Sequence, residues 1–225
     1  MTIRFRDRTE AGQQLATKLS AYAHRADVLV IGLPRGGVPV AAEVATALHA
    51  PLDICLVRKL GVPGHQELAM GAIASGGVRV LNDDLLDWLG ISDQTIDEVA
   101  ARELRELERR DHKYRGDRPP PDLRDRTVVL VDDGLATGST MRAAIAAIRQ
   151  QSPQRIVVAV PVGASETCEE IRRETDEVVC LRTPDPLYAI GLWYENFAQT
   201  TDEEVCKLLE NNLSHRGPKA SIGGK

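Results

Sequence analysis

The chain has 225 residues, of which 43% are hydrophobic and 27% charged, and its net charge is −5. A chain of this length and composition can bury a full α/β core with additions, and the acidic balance argues against nucleic acid or a membrane surface as the main partner. No apolar run reaches membrane-spanning length, and Met1–Ser20 lacks the apolar core of a secretion signal, so a cytoplasmic protein is expected.

Thr9–His24 reads as an amphipathic helix, with Leu15, Leu19 and Tyr22 near one face. Val28–Gly32 is a buried strand, Leu33–Gly37 a turn, Val40–Leu48 a helix and Leu52–Val57 the next strand. Gly61–Gln66 is a loop punctuated by glycine and proline. Ala69–Ala74 and Val78–Leu81 flank Ser75-Gly76-Gly77 as a hairpin. Asp83–Leu89 is a short helix, and Ser92 or Asp93 caps a long one running to about Tyr114, with a solvated, ion-paired middle around Arg102–Arg109. Gly116–Pro121 stops it. Val128–Val131 is a buried strand and Met141–Gln150 a helix. Strands at Ile156–Val160 and Val178–Leu181 enclose a helix at Thr167–Glu174, and Asp202–Asn211 is the last helix. The alternation predicts an α/β fold, a mainly parallel twisted sheet with helices on both faces. Residues 1–213 read as a single domain with a helical insertion at 83–115, and 214–225 as a flexible tail. The scattered Cys55, Cys168, Cys180 and Cys206 form no metal-binding spacing and read as buried reduced thiols.

The most specific signal is Val128-Val129-Leu130-Val131-Asp132-Asp133-Gly134-Leu135-Ala136-Thr137-Gly138-Ser139-Thr140. Two adjacent carboxylates close a buried strand, and a small, hydroxyl-rich loop leads into a helix. Hydroxyls and free backbone N–H groups at a helix N-terminus form an anion site. The loop has no Lys or Arg, so its backbone must carry most of the phosphate binding. The two acids would repel that phosphate unless they face sugar hydroxyls and a divalent metal, so the ligand implied is a sugar phosphate. A Walker-type nucleotide loop is excluded, because Gly134 and Gly138 are too close together and Ser139 stands where Lys is required. The bland alternative is an ordinary strand–turn–helix with an acidic turn.

This run resembles the phosphoribosyl-pyrophosphate signature of type I phosphoribosyltransferases: four hydrophobics, two acids, a short variable stretch, then Thr-Gly-x-Ser/Thr. The resemblance implies that Asp132 and Asp133 hold the ribose hydroxyls and Mg²⁺, and that Gly134, Ala136, Thr137, Gly138, Ser139 and Thr140 grip the phosphoribosyl group. Gly32–Ala41 contains Leu33-Pro34-Arg35-Gly36-Gly37, in which one Arg is held where backbone N–H groups converge. It is similar to the family's pyrophosphate loop, which gives Arg35, Gly36 and Gly37 that role; alone, it reads equally well as a tight turn with a solvent-facing Arg. Leu56–Gly64, with Arg58-Lys59 entering a glycine–proline loop, looks like the start of the mobile loop of adenine phosphoribosyltransferases, and implies diphosphate binding by both cations and closure of Gly61–Gln66. His65, Gln66 and Glu67 lie within reach of a closed site, although a loop histidine is more often simply solvated.

Aromatic residues are 4% of the chain, yet four gather in Thr183–Phe197. An aromatic platform beside a phosphate rim suits a flat heterocycle. The stretch resembles the base-binding hood of the hypoxanthine–guanine enzymes, with Tyr188 and Ala189 against the base and Glu195 as the following acid. A core cluster or a homodimer interface is the other reading, above all for Trp193 and Tyr194.

The resemblance covers roughly Val28–Phe197 and breaks at two places. Ala136 stands where 6-oxopurine enzymes carry an acid, and Pro161-Val162-Gly163 offers no Lys to read a purine oxygen. The insertion fits none of the salvage enzymes, and the whole is similar to a bacterial group of predicted phosphoribosyltransferases without an assigned acceptor. The expected activity is transfer of ribosyl 5-phosphate from Mg²⁺–phosphoribosyl pyrophosphate to a small-molecule nitrogen acceptor. Alternatives are a regulator that senses phosphoribosyl pyrophosphate or a nucleotide, and phosphorolysis or hydrolysis of a ribosyl phosphate.

Overall fold

The structure is a computed structural model that describes residues 4–215, without the side chains of Gln66, Glu67 and His215. It begins with α1 (Arg8–Lys18), capped by Asp7, and a short 3₁₀ turn at Ser20–Tyr22. A parallel sheet follows, built from β1 (Val28–Gly32), β2 (Leu52–Ile54), β6 (Thr127–Val131), β7 (Arg155–Val162) and β8 (Glu177–Arg182), in the order β2-β1-β6-β7-β8. The apolar runs read as buried strands are these strands: every residue of β1 and β6 is buried. Helices α2 (Gly37–Leu48), α5 (Ser139–Arg149) and α6 (Ser165–Glu174) connect them, and α7 (Asp202–His215) closes the described chain. Two large apolar clusters result. One holds Val28, Val30 and Val129 with α1, α2 and α7; the other holds Leu29, Ile31 and Leu130 with α5 and α6. Alternate residues of each central strand thus face opposite helix layers.

A second sheet of three antiparallel strands, β3 (Val57–Val62), β4 (His65–Ala74) and β5 (Val78–Leu81), packs beside α5. Here two expectations are corrected. The strand expected over Leu52–Val57 ends at Ile54, and Val57 opens β3 in the other sheet. Gly61–Gln66 is not an open loop: Val62 pairs with His65, leaving Pro63 and Gly64 as a two-residue turn with Gly64 at φ 79°. The glycine and proline mark a reversal within a ladder, with a bulge at Gly61.

The region at 83–115 is helical as expected, with α3 (Asp83–Leu89) and α4 (Asp93–Arg115), capped by Asn82 and Ser92. Ile96, Val99, Ala100, Leu107 and Tyr114 form the buried stripe of α4. Its last residue, Arg115, is 4% exposed and fully partnered: Nε donates to Asp53 Oδ1 at 2.8 Å, and the guanidinium also meets Asp111 and the Ile54 carbonyl. This anchors α4 to the end of β2. The last helix extends through Ser214 and His215, residues expected in the tail; 216–225 lie outside the described residues. The four cysteines are unpaired in disulfides, Cys55 and Cys168 buried but Cys180 and Cys206 only half-buried.

Candidate active site

In the sheet order, β1 continues to β2 on one side, whereas β6 continues to β7 and β8 on the other. The change of direction falls between β1 and β6, where open α/β sheets place their ligands. Leu33 N–H donates to the Val131 carbonyl at 2.9 Å, carrying this pairing past both strand ends. The loop after β1 and the loop after β6 therefore meet, as expected.

They meet through glycine. A Cβ on Gly37 would lie 2.8 Å from both Asp132 Cα and the Val131 oxygen, and one on Gly36 would overlap the Asp133 carboxylate. Both positions need glycine because another backbone occupies the space of a side chain. Asp132 Oδ1 accepts from the Asp133 N–H at 2.8 Å. Burial, and then the neighbouring Asp133, hold the Asp132 carboxyl well above the usual carboxylate range. Burial also raises Asp133, opposed by the charge and hydrogen bond of Arg8.

Arg8 was not singled out from the sequence. It opens α1, and its Nε and Nη2 each lie 2.8 Å from Asp133 Oδ2, while Nη1 donates to the Ala198 carbonyl at 2.8 Å. Its guanidinium lies 4.0 Å from the Phe197 ring centroid. Sequence offers no signal for this pair, because Arg8 and Asp133 meet only through the tertiary fold.

The loop from Gly134 to Thr140 encloses, with Asp132, Asp133, Met141 and Ile190, a cavity of about 200 Å³. Gly138 at φ 75° turns the chain into α5. Ala136, Thr137, Ser139 and Thr140 are exposed there, and the Thr137 and Ser139 hydroxyls stand 3.4 Å apart. The loop is braced from behind. Leu135 N–H donates to the Val162 carbonyl at 2.9 Å, Ala164 N–H to the Leu135 carbonyl at 2.8 Å, and Thr167 Oγ1 to the Ala136 carbonyl at 2.7 Å. Arg142, also unforeseen, donates to the Thr137 carbonyl at 3.0 Å while pairing with Glu170 and Glu174.

The remaining candidates are dispersed. Arg35 Nη1 is 3.7 Å from Asp202 Oδ1; the Pro34–Arg35 peptide is cis. Arg58 pairs with Glu103 of α4, Nη2 to Oε2 at 2.6 Å, and Lys59 is exposed on β3. In the hood, Tyr188 is 84% exposed, and Ala189 and Glu195 are also exposed. The residue that meets the loop is Ile190, whose Cγ2 would lie 2.5 Å from a Cβ on Gly134. Tyr194 is 3% exposed, packs at a tilt between the Phe5 and Phe197 rings, and donates its hydroxyl to the Asp133 carbonyl at 2.6 Å. Tyr194 is thus a brace for the acidic pair, whereas Tyr188 leaves its ring open to solvent.

The switch point thus carries a glycine-packed acidic pair beside a hydroxyl-lined loop. The family model described as "Phosphoribosyl transferase domain" matches residues 7–192, and the chain belongs to that family. A protein of Mycobacterium tuberculosis, provisionally named a phosphoribosyl transferase, is 47% identical over 212 residues in each of two strains, an alignment of 94% of this chain and 47% of the relative. The chain therefore spans about half the length of these curated relatives. The crystal structure of a Thermus thermophilus protein, TT1426, aligns with a TM-score of 0.82 at 44% identity, covering 92% of this chain and 98% of the other. No helix among the described residues is long and apolar enough to cross a membrane.

Proposed function

We propose that the chain transfers ribosyl 5-phosphate from phosphoribosyl pyrophosphate to a nitrogen nucleophile, releasing pyrophosphate. The observation that carries this reading is the packing of Gly36 and Gly37 against Asp133 and Asp132, which brings the loop after β1 against the acidic pair after β6; a single donor molecule touching both loops accounts for that approach. Ala136, Thr137, Gly138, Ser139 and Thr140 hold the 5-phosphate through backbone N–H groups and hydroxyls. Asp132 and Asp133 face the ribose hydroxyls. Arg35 stabilises the charge that develops on the leaving pyrophosphate, the largest contribution expected in such a site. Arg58 and Lys59 add to it from the neighbouring hairpin, Arg58 exchanging Glu103 for phosphate.

The donor set also suits Mg²⁺. No group of three or more His, Cys, Asp or Glu side chains that could hold a metal occurs among the described residues, but Mg²⁺ ordinarily uses one or two carboxylates with substrate phosphates and water. Asp132 and Asp133 would hold it, and when bound it would neutralise pyrophosphate charge. For the acceptor, Tyr188 and Ala189 offer a face to a flat ring and Glu195 a nearby acid. Ala136 gives no acid and Pro161–Gly163 no Lys, so hypoxanthine and guanine are expected to be poor acceptors, adenine the best purine, and a different heterocycle or an amine the natural one.

The test is incubation with phosphoribosyl pyrophosphate, Mg²⁺ and a panel of bases and amines, read by mass spectrometry for pyrophosphate and the ribosylated product. Release of pyrophosphate with no acceptor consumed would favour hydrolysis. Absence of donor binding by calorimetry would overturn the proposal.

A further inference from the structure

The C-terminal end of α4 and Arg35 meet at one carboxylate, that of Asp202. Lys113 Nζ lies 2.7 Å from Asp202 Oδ2, and the Tyr114 hydroxyl donates to Asp202 Oδ1 at 2.5 Å. Arg35 Nη1 stands 3.7 Å from that same Oδ1. Two cations from segments far apart in sequence thus flank opposite oxygens of one carboxylate. The charges of Lys113 and Arg35, with the Tyr114 hydroxyl, hold Asp202 down to about 2.

Asp202 is the first residue of α7, but the helix does not depend on it for its cap. Thr201 Oγ1 accepts from the Glu204 N–H at 3.1 Å, and Glu204 Oε2 accepts from the Thr201 N–H at 2.8 Å, a reciprocal capping box. The Asp202 carboxylate is therefore available to the cations. A phosphoryl group presents the same fork of anionic oxygens with more charge.

We infer that Lys113 is a second cation of the pyrophosphate subsite, beside Arg35, and that Asp202 is an internal counter-ion which the donor's pyrophosphate replaces. The inference rests on the donor reading above, and it gives the helical insertion a place in that site. Glu203 Oε1 is 3.8 Å from Lys113 and opposes the incoming anion, but its side chain is 81% exposed and well screened. Because Asp202 competes for the same cations, the binding-competent form is only a fraction of the free protein, and apparent affinity falls by that fraction.

The experiment is calorimetry on the full chain with inorganic pyrophosphate, with and without Mg²⁺, and separately with ribose 5-phosphate. Asp202→Asn keeps an acceptor for the Tyr114 hydroxyl while removing the charge, and Lys113→Met keeps the aliphatic stem. Thermal unfolding checks that each variant is folded. Asp202→Asn should bind pyrophosphate about threefold to fivefold more tightly, the size expected from releasing a half-exposed ion pair. Lys113→Met should bind it about tenfold more weakly. Ribose 5-phosphate affinity should be unchanged in both. Pyrophosphate binding that is unaltered or weakened by Asp202→Asn, or unaltered by Lys113→Met, overturns this inference while leaving the donor reading standing. A wild type that binds neither ligand overturns both.

Discussion

Around Asp132 and Asp133 every neighbour is braced: Arg8 and the Tyr194 hydroxyl hold Asp133, and Gly36 and Gly37 pack against the pair. Across the cavity the hood meets the phosphate loop at Ile190 and leaves Tyr188 84% exposed. The difference follows from charge. Half-buried carboxylates are tolerated only when neighbours compensate them, so the acidic side of the cavity is fixed by its own electrostatics. An exposed tyrosine makes no such demand, and the hood can change there with little cost to the fold.

The sharpest way to break this contrast is Arg8→Ala. The Arg8 and Asp133 side chains are 12% and 14% exposed, so removing the cation strands a buried carboxylate and should cost about 3 kcal/mol of stability, measured by denaturant unfolding. A loss below about 0.5 kcal/mol would place this pair with ordinary surface pairs. Next, Asp132→Asn combined with Asp133→Asn should weaken Mg²⁺–phosphoribosyl pyrophosphate binding by one to two powers of ten, about 1.4–2.8 kcal/mol by calorimetry.

A third prediction uses pH. The folded Asp132 carboxyl titrates well above its ordinary value, so between that value, near ~3.9, and the raised one the folded chain keeps a proton that the unfolded chain has lost. Stability of the ligand-free protein should therefore fall as pH rises through this window, and Asp132→Asn should make that fall shallower, the rest coming from Asp133, which burial also raises. Coincident pH–stability curves for wild type and variant would sink the claim that burial governs the rim. The smallest effect belongs to the hood. Tyr188→Ala should change stability by no more than about 0.5 kcal/mol, raise the KM for the acceptor, and leave donor affinity unchanged. A matching loss of donor affinity would erase the division between the two sides.

The sequence carried the sheet because β1, β6 and β7 are continuous apolar runs, and Asn82, Ser92 and Gly90 punctuate α3 and α4 by ordinary capping chemistry. The signature loop was legible because its acids, glycines and hydroxyls stand in adjacent residues. Arg8, Arg142, Ile190, Lys113 and Asp202 were not, since each acts on a partner far away in the chain and no local pattern records such a meeting. The β3–β4 turn was misplaced for a related reason. Gly61, Pro63 and Gly64 signal a loop by composition, whereas ladder pairing on both sides confines the reversal to two residues. In the hood the core reading fits Tyr194, which is buried and serves the acidic pair, while the stretch carried no local sign of which backbone group its hydroxyl would meet.

Arg8 donates to the carbonyl of Ala198, a contact that joins residues 190 positions apart. A nascent chain emerging from the ribosome can form the central strands and the phosphate loop well before this clasp has its second half. During that interval Asp133 lacks part of its setting, and the acidic side of the cleft cannot take its final shape. Contacts of such long sequence separation also slow folding, because a large loop must close before they are rewarded. On the proposed reading, donor binding should therefore arise late in synthesis, near the emergence of the segment that leads into α7.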